Sequence, residues 1–78
     1  AAWEQEWNRE LLRVALDRAK DGFTPATMAA FERFALRGEP PELVARALGL
    51  STNAVYIAKH RVLQRLREAR AELEALWR

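Results

Sequence analysis

PELVARALGLSTNAVYIAKHRVLQRLR, residues 41–67, decides the fold of this chain. It reads as two helices joined by a tight turn, the second strongly basic. Ala45 stands where two helices cross closely, a place that needs a small side chain. Gly49, four residues on, ends the first helix where the backbone turns left-handed, a conformation that costs glycine nothing. Val55, six residues later, is a stiff apolar anchor on the next helix. Val44, Leu48, Leu50, Val55 and Ala58 supply the apolar seam between the two. With Ala45, Gly49 and Val55 in register with that seam, the layout is a helix-turn-helix.

Outward from this stretch the chain reads as helix throughout, with no strand-like alternation. The first helix is expected from about Trp3 to Lys20, where Trp3, Trp7, Leu11, Leu12, Ala15, Leu16 and Ala19 recur at helical spacing and Asp21-Gly22 ends the run. A second starts at Thr24, a capable cap, with Pro25 at the first helical position and Phe23 and Met28 placed for a hydrophobic staple. It carries Met28, Phe31, Phe34, Ala35 and Leu36 and stops at Gly38. Glu39-Pro40-Pro41 breaks the chain before the third helix, which runs to Leu48. The fourth begins at Ser51, Thr52 or Asn53, and nothing stops it before about Trp77. The expected fold is all-α: a four-helix domain over residues 1–78, with a C-terminal helix-turn-helix and a long basic last helix.

Projected at about 100° per residue, the fourth helix separates into two faces. Val55, Ala58, Val62, Leu66, Ala69, Leu73 and Leu76 form the stripe that must face a core. Asn53, Ile57, His60, Arg61, Gln64 and Arg67 point away, with Tyr56 on the flank. At ~39 Å such a helix outruns a small bundle, so residues 71–78 are expected against the first helix, with Trp3, Trp7 and Trp77 closing the bundle as an aromatic cluster.

Seventy-eight residues allow one small domain, in which most apolar side chains are needed for the core. Half the residues are apolar and 31% charged, the balance of a folded helical domain rather than a disordered tail. Cysteine is absent, which excludes disulfides and thiolate metal sites. Apolar runs are too short to span a membrane, and Trp3-Glu4-Gln5-Glu6 is the wrong start for a signal peptide. The expected compartment is the cytoplasm. Since the chain begins with Ala1, it reads as part of a longer protein.

The net charge of +2 conceals its distribution. Residues 55–70 hold Lys59, Arg61, Arg65, Arg67 and Arg70 against Glu68 alone, whereas residues 1–42 carry more acid than base. A basic helix by itself is often only a solvated face. Directly after a helix-turn, it points to contact with a polyanion, and so to DNA entered through the major groove. Ile57, an aliphatic residue in the middle of that polar face, fits a thymine methyl or a protein partner.

Catalytic patterns are missing. His60 is the single histidine, Ser51 has no base arranged to activate it, and Gly22, Gly38 and Gly49 are isolated rather than part of a phosphate-cradling loop. Glu4, Glu6 and Glu10 read as the solvated start of a helix. The expectation is a binding protein without enzyme activity, cofactor, metal or small-molecule substrate.

Pro41-Glu42-Leu43-Val44-Ala45, then Leu48-Gly49-Leu50-Ser51, then Val55, Arg61 and Leu66-Arg67-Glu68 resemble region 4 of bacterial RNA polymerase sigma factors of the extracytoplasmic-function group. Upstream, Trp7, Leu11-Leu12, Phe23, Pro25 and Phe31 are similar to the helices that precede the motif in that family. The resemblance covers essentially the whole chain and is strongest over residues 41–68. It implies a domain that binds the promoter's −35 element as duplex DNA while docking on the flap of the polymerase β subunit. Region 2, which opens the −10 element in that family, has no counterpart here. Many members of the group are held by anti-sigma proteins, a further partner the resemblance implies.

Carried over position by position, the base readers fall at Tyr56, Ile57, His60 and Arg61, with Arg61 suited to a bidentate bond to guanine. Arg46, Ser51, Thr52, Asn53, Gln64 and Arg65 fall where the family meets the DNA backbone. Many members have a polar or basic residue at the position of Tyr56, a serine at Ile57 and an arginine at Ala58. The family's usual −35 sequence is therefore not expected for this chain. Two other readings fit the same motif: the output domain of a response-regulator-like (LuxR-type) activator, which pairs on two half-sites, and a helical protein-interaction module. The latter leaves the charge on residues 55–70 unexplained.

Overall fold

Asn8 starts the first helix. Its backbone is extended and its side-chain oxygen accepts the N–H of Leu11 at 2.7 Å, which fixes helix α1 as Arg9–Ala19. This is a computed structural model, and it describes residues 7–76. The expected start at Trp3 lies outside the described residues, as do Glu4, Glu6 and Trp77. Trp7 precedes the cap instead of belonging to the helix. Its indole packs on the core, with the guanidinium carbon of Arg70 5.1 Å from the ring centre. Spacing from Trp7 to Leu11 mimics helical periodicity, which is why the cap at Asn8 is not apparent from the pattern. A 3₁₀ turn, Lys20–Gly22, follows α1.

Thr24 caps helix α2, Pro25–Phe31, and accepts the N–H of Thr27 at 3.2 Å. Phe23 and Met28 both pack on the core, as a staple requires. The helix then continues to Leu36 as a π-helical segment, Glu32–Leu36, in which the N–H of Arg37 reaches back to the carbonyl of Glu32 at 3.0 Å. The apolar pattern over these residues predicts an α-helix to Gly38; the wider winding is a departure from it. Gly38, at φ 71°, turns the chain toward Pro40.

Helix α3 is Pro41–Leu48 and helix α4 is Thr52–Leu76. Between them Gly49 sits at φ 69°, and the N–H groups of Gly49 and Leu50 both donate to the carbonyl of Ala45, the second at 2.8 Å. Ser51 closes the turn by accepting the N–H of Ala54 at 3.0 Å. The fold is all-α, with four helices and no strand among the described residues. No described helix is long and apolar enough to cross a membrane.

Two cores share α4. Val55 and Ala58 meet Ala30, Val44 and Ala45, with Phe34, Leu48 and Leu50 covering the edge; this is the seam of the helix-turn-helix. Farther along, Val62, Leu66 and Ala69 meet Ala15, Ala19, Phe31 and Ala35. Seven of the thirteen buried apolar residues are alanine, so the helices approach closely and α4 can lie against both α1 and α3. The stripe expected to face the core is buried from Val55 to Leu73, but Leu76 is 69% exposed. Leu76 belongs to neither core. The molecule is 43 Å long, close to the ~38 Å that α4 alone contributes.

Candidate nucleic-acid interface

With one face of α4 locked into both cores, the opposite face is fixed by helical geometry. Asn53, Tyr56, Ile57, His60, Arg61, Gln64 and Arg67 are all exposed on it, and Arg46 is exposed on neighbouring α3. The structure therefore brings the expected base-reading set onto one surface. Two of them are large apolar groups in water: Tyr56 is 50% exposed and Ile57 42%.

Tyr56 is held from behind. Its ring meets Phe34 edge-on, with centroids 5.2 Å apart and planes at 87°. Lys59 stands over the same phenylalanine, its Nζ 5.2 Å from the ring centre. Phe34 thus fixes two side chains of the basic helix from below. The sequence pattern marks Phe34 only as a core residue, and its spacing within α2 carries no sign of this second role.

Charge pairing divides the cations into two groups. Arg13, Arg18, Lys20, Arg33, Arg65 and Arg70 each lie within ion-pair distance of a carboxylate. Arg46, Lys59, Arg61 and Arg67 have no described carboxylate partner, and all four belong to the helix-turn-helix. Elsewhere among the described residues only Arg9 and Arg37 share that condition. Arg61 and Arg67 stand on the face that presents His60 and Gln64, Arg46 on neighbouring α3, and Lys59 at the edge over Phe34.

The start of α4 adds backbone donors. Ala54 donates to the Ser51 hydroxyl and Val55 to the Ser51 carbonyl, whereas no described group accepts from the N–H of Thr52 or Asn53. The Ser51 oxygen is engaged in capping, so only its hydroxyl proton is free for a phosphate. Thr52 is half-buried and Asn53 exposed.

Arg65 departs from the expected set. Its guanidinium is 3.3 Å from Glu72 and 3.8 Å from Glu68, and Glu72 also receives Arg18 of α1 at 3.4 Å. The Arg18 contact ties α4 to α1, and the two carboxylates draw Arg65 along α4 toward its C-terminal half, away from Tyr56 and His60.

Among the grooves of the domain are two that flank α2. One, of about 540 Å³, lies between the end of α1 and the start of α2, with Leu16, Phe23, Pro25 and Met28 in its walls and Asp21 and Glu32 at its rim. The other, of about 280 Å³, runs beside α4 and is lined by Phe23, Thr27, Ala54, Ile57, Ala58 and Arg61. Among the described residues no three His, Asp or Glu side chains gather where they could share a metal ion.

Comparison of the chain with protein-family models, with curated proteins and with solved structures gives no match.

Proposed function

We propose that this domain binds duplex DNA through the outer face of α4, reading a promoter −35 element as region 4 of an extracytoplasmic-function sigma factor does, and that it docks on the β-flap of RNA polymerase. The observation that carries the reading is the set of unpaired cations. Arg46, Lys59, Arg61 and Arg67 stand without described carboxylate partners on the helix-turn-helix, while most other basic residues are neutralised. Cations left unpaired beside a helix-turn suit contact with a polyanion. In this role the domain acts in the cytoplasm by binding rather than catalysis, without cofactor or small-molecule substrate.

In this reading the contacts divide. Arg61, His60, Tyr56 and Ile57 face the base edges, and Arg46, Arg67, Gln64 and the first turn of α4 meet the sugar-phosphate backbone. The larger groove, with Leu16, Phe23, Pro25 and Met28, is then the surface for the polymerase flap, leaving α4 free for DNA. An anti-sigma partner would compete for either surface.

Binding to an isolated β-flap fragment, with a flap-tip mutant as control, tests the polymerase half. Selection from random duplexes tests the DNA half. A single enriched site together with flap binding supports the sigma reading. Paired half-sites bound by a dimer, without flap binding, support a response-regulator-like activator instead. Flap or anti-sigma binding with no duplex affinity leaves a protein-interaction module.

A further inference from the structure

The smaller groove combines two chemistries. Phe23, Ala54, Ile57 and Ala58 give it a mostly apolar lining, joined by Thr27 and by Arg61, which has no described carboxylate partner. Ile57 leaves 42% of its surface in water at this place, next to the unpaired cations of α4. On the opposite flank of the same helix Tyr56 is packed edge-on against Phe34.

A ligand that satisfies both parts needs a small apolar group close to a paired hydrogen-bond acceptor. Duplex DNA offers this in its major groove: the 5-methyl of thymine, and the O6 and N7 of guanine. Ile57 and Arg61 are one helical turn apart, which sets their β-carbons about 5–6 Å from each other. Bases stack about 3.4 Å apart along a strand. Side chains so spaced reach base pairs that are adjacent or one step removed.

We propose that the groove between Ile57 and Phe23 receives the 5-methyl group of a pyrimidine lying within two base pairs of the guanine read by Arg61. Phe23, which precedes α2 and lies outside the helix-turn-helix, forms the far wall and thereby shares in sequence selection. Cytosine methylated at C5 presents the same group, so the site is sensitive to cytosine methylation as well as to thymine. The inference rests on the DNA-binding reading above and names the chemistry that the groove selects.

The test uses the domain's own selected duplex, with each thymine replaced in turn by deoxyuridine, a change that removes only the methyl group. One replacement should weaken binding by the wild-type domain about three- to fivefold, the equivalent of one buried methyl, and should leave Ile57→Ala indifferent. Replacing that thymine–adenine pair by cytosine–guanine and then by 5-methylcytosine–guanine should regain affinity at the second step for the wild type alone. The sensitive position should fall within two base pairs of the guanine whose preference Arg61→Ala relaxes. Equal loss in wild type and Ile57→Ala, or a sensitive position farther away, overturns the assignment while leaving DNA binding intact. Absence of any sequence preference in the wild type overturns the DNA reading, and this inference with it.

Discussion

Arg33 grips the carboxylate of Glu39 across the turn from the π-helical end of α2 to the start of α3, its Nε and Nη2 donating to Oε1 at 3.1 and 2.8 Å. The backbone N–H of Glu39 also reaches the carbonyl of Arg33 at 3.0 Å. Both side chains are about 30% exposed, so the pair is partly shielded and its geometry is fixed at both ends. It sets how α3 leaves α2, and thereby how the helix-turn-helix sits on the rest of the domain.

The hydrogen bonds from Arg33 hold the Glu39 carboxyl below its ordinary range, and Asp17 and Glu10 are lowered in the same sense by Lys20 and Arg13. A lowered native value means that the charged form is favoured by folding. The contribution is therefore present above the ordinary carboxylate range and is lost as pH falls through the native value. Glu39→Gln should lower the melting temperature at neutral pH, and the gap from wild type should close as the solution is acidified past that range. A gap that stays constant down to acid pH would show that the ion pair is not its source.

Gly49 is required by its backbone and not by space. At φ 69° a side chain is strained, yet a Cβ built there meets nothing within 4 Å. Gly49→Ala should therefore cost roughly 1–2 kcal/mol, the penalty of a left-handed residue, without distorting the fold. Gly49→Asn should cost less and Gly49→Val more, since a β-branched residue resists φ > 0 most. Urea unfolding of the three variants gives the order directly. Equal stability for glycine and valine would contradict the left-handed turn.

Ser51 is assigned two tasks that can be separated. Its oxygen caps α4 through Ala54, and its hydroxyl lies where a DNA phosphate is expected. Ser51→Ala should cost about 1 kcal/mol of stability. Ser51→Asp keeps the cap and improves its match to the helix dipole, but brings a negative charge to the phosphates. It should preserve stability while weakening every duplex. If Ser51→Asp binds DNA as well as wild type at equal folded fraction, the start of α4 does not approach the backbone.

What the sequence makes legible here is what depends on local pattern. Val55, Ala58, Val62, Leu66, Ala69 and Leu73 are buried as helical spacing demands, and Thr24, Gly49 and Ser51 bound their helices through local chemistry. Leu76 obeys the same spacing but is exposed, because periodicity along one helix is blind to how far its partners extend. The π-helical segment has no marker either. Its wider winding goes with Phe34 facing the helix-turn-helix core while Ala35 and Leu36 face the other, a demand set by two cores at once. The interface residues are legible as an exposed face, whereas their pairing is not. Arg65 meets Glu68 and Glu72 within α4, while Arg61 meets no described carboxylate. That Glu72 also receives Arg18, 54 residues away in sequence, is set by how α1 packs on α4.

On the proposed function, this difference in pairing should separate the arginines of the helix-turn-helix in their effect on DNA. Arg61→Ala should relax preference at one position, with a loss of roughly 1–3 kcal/mol in discrimination against the wrong base. Arg67→Ala and Arg46→Ala should weaken cognate and scrambled duplexes alike and reduce the salt-dependence slope by about 1 each. Arg65, read from sequence as a backbone contact, is bound to Glu68 and Glu72 and must leave them to reach a phosphate. Arg65→Ala should change DNA affinity less than Arg67→Ala and show its effect mainly at the α1–α4 contact, as a small loss of thermal stability. Titrations of the four variants against cognate and scrambled duplexes at several salt concentrations distinguish these outcomes. A salt slope reduced as much by Arg65→Ala as by Arg67→Ala would mean that Arg65 gives up its carboxylates on the duplex, and that the charge sorting seen in the free domain is rearranged by binding.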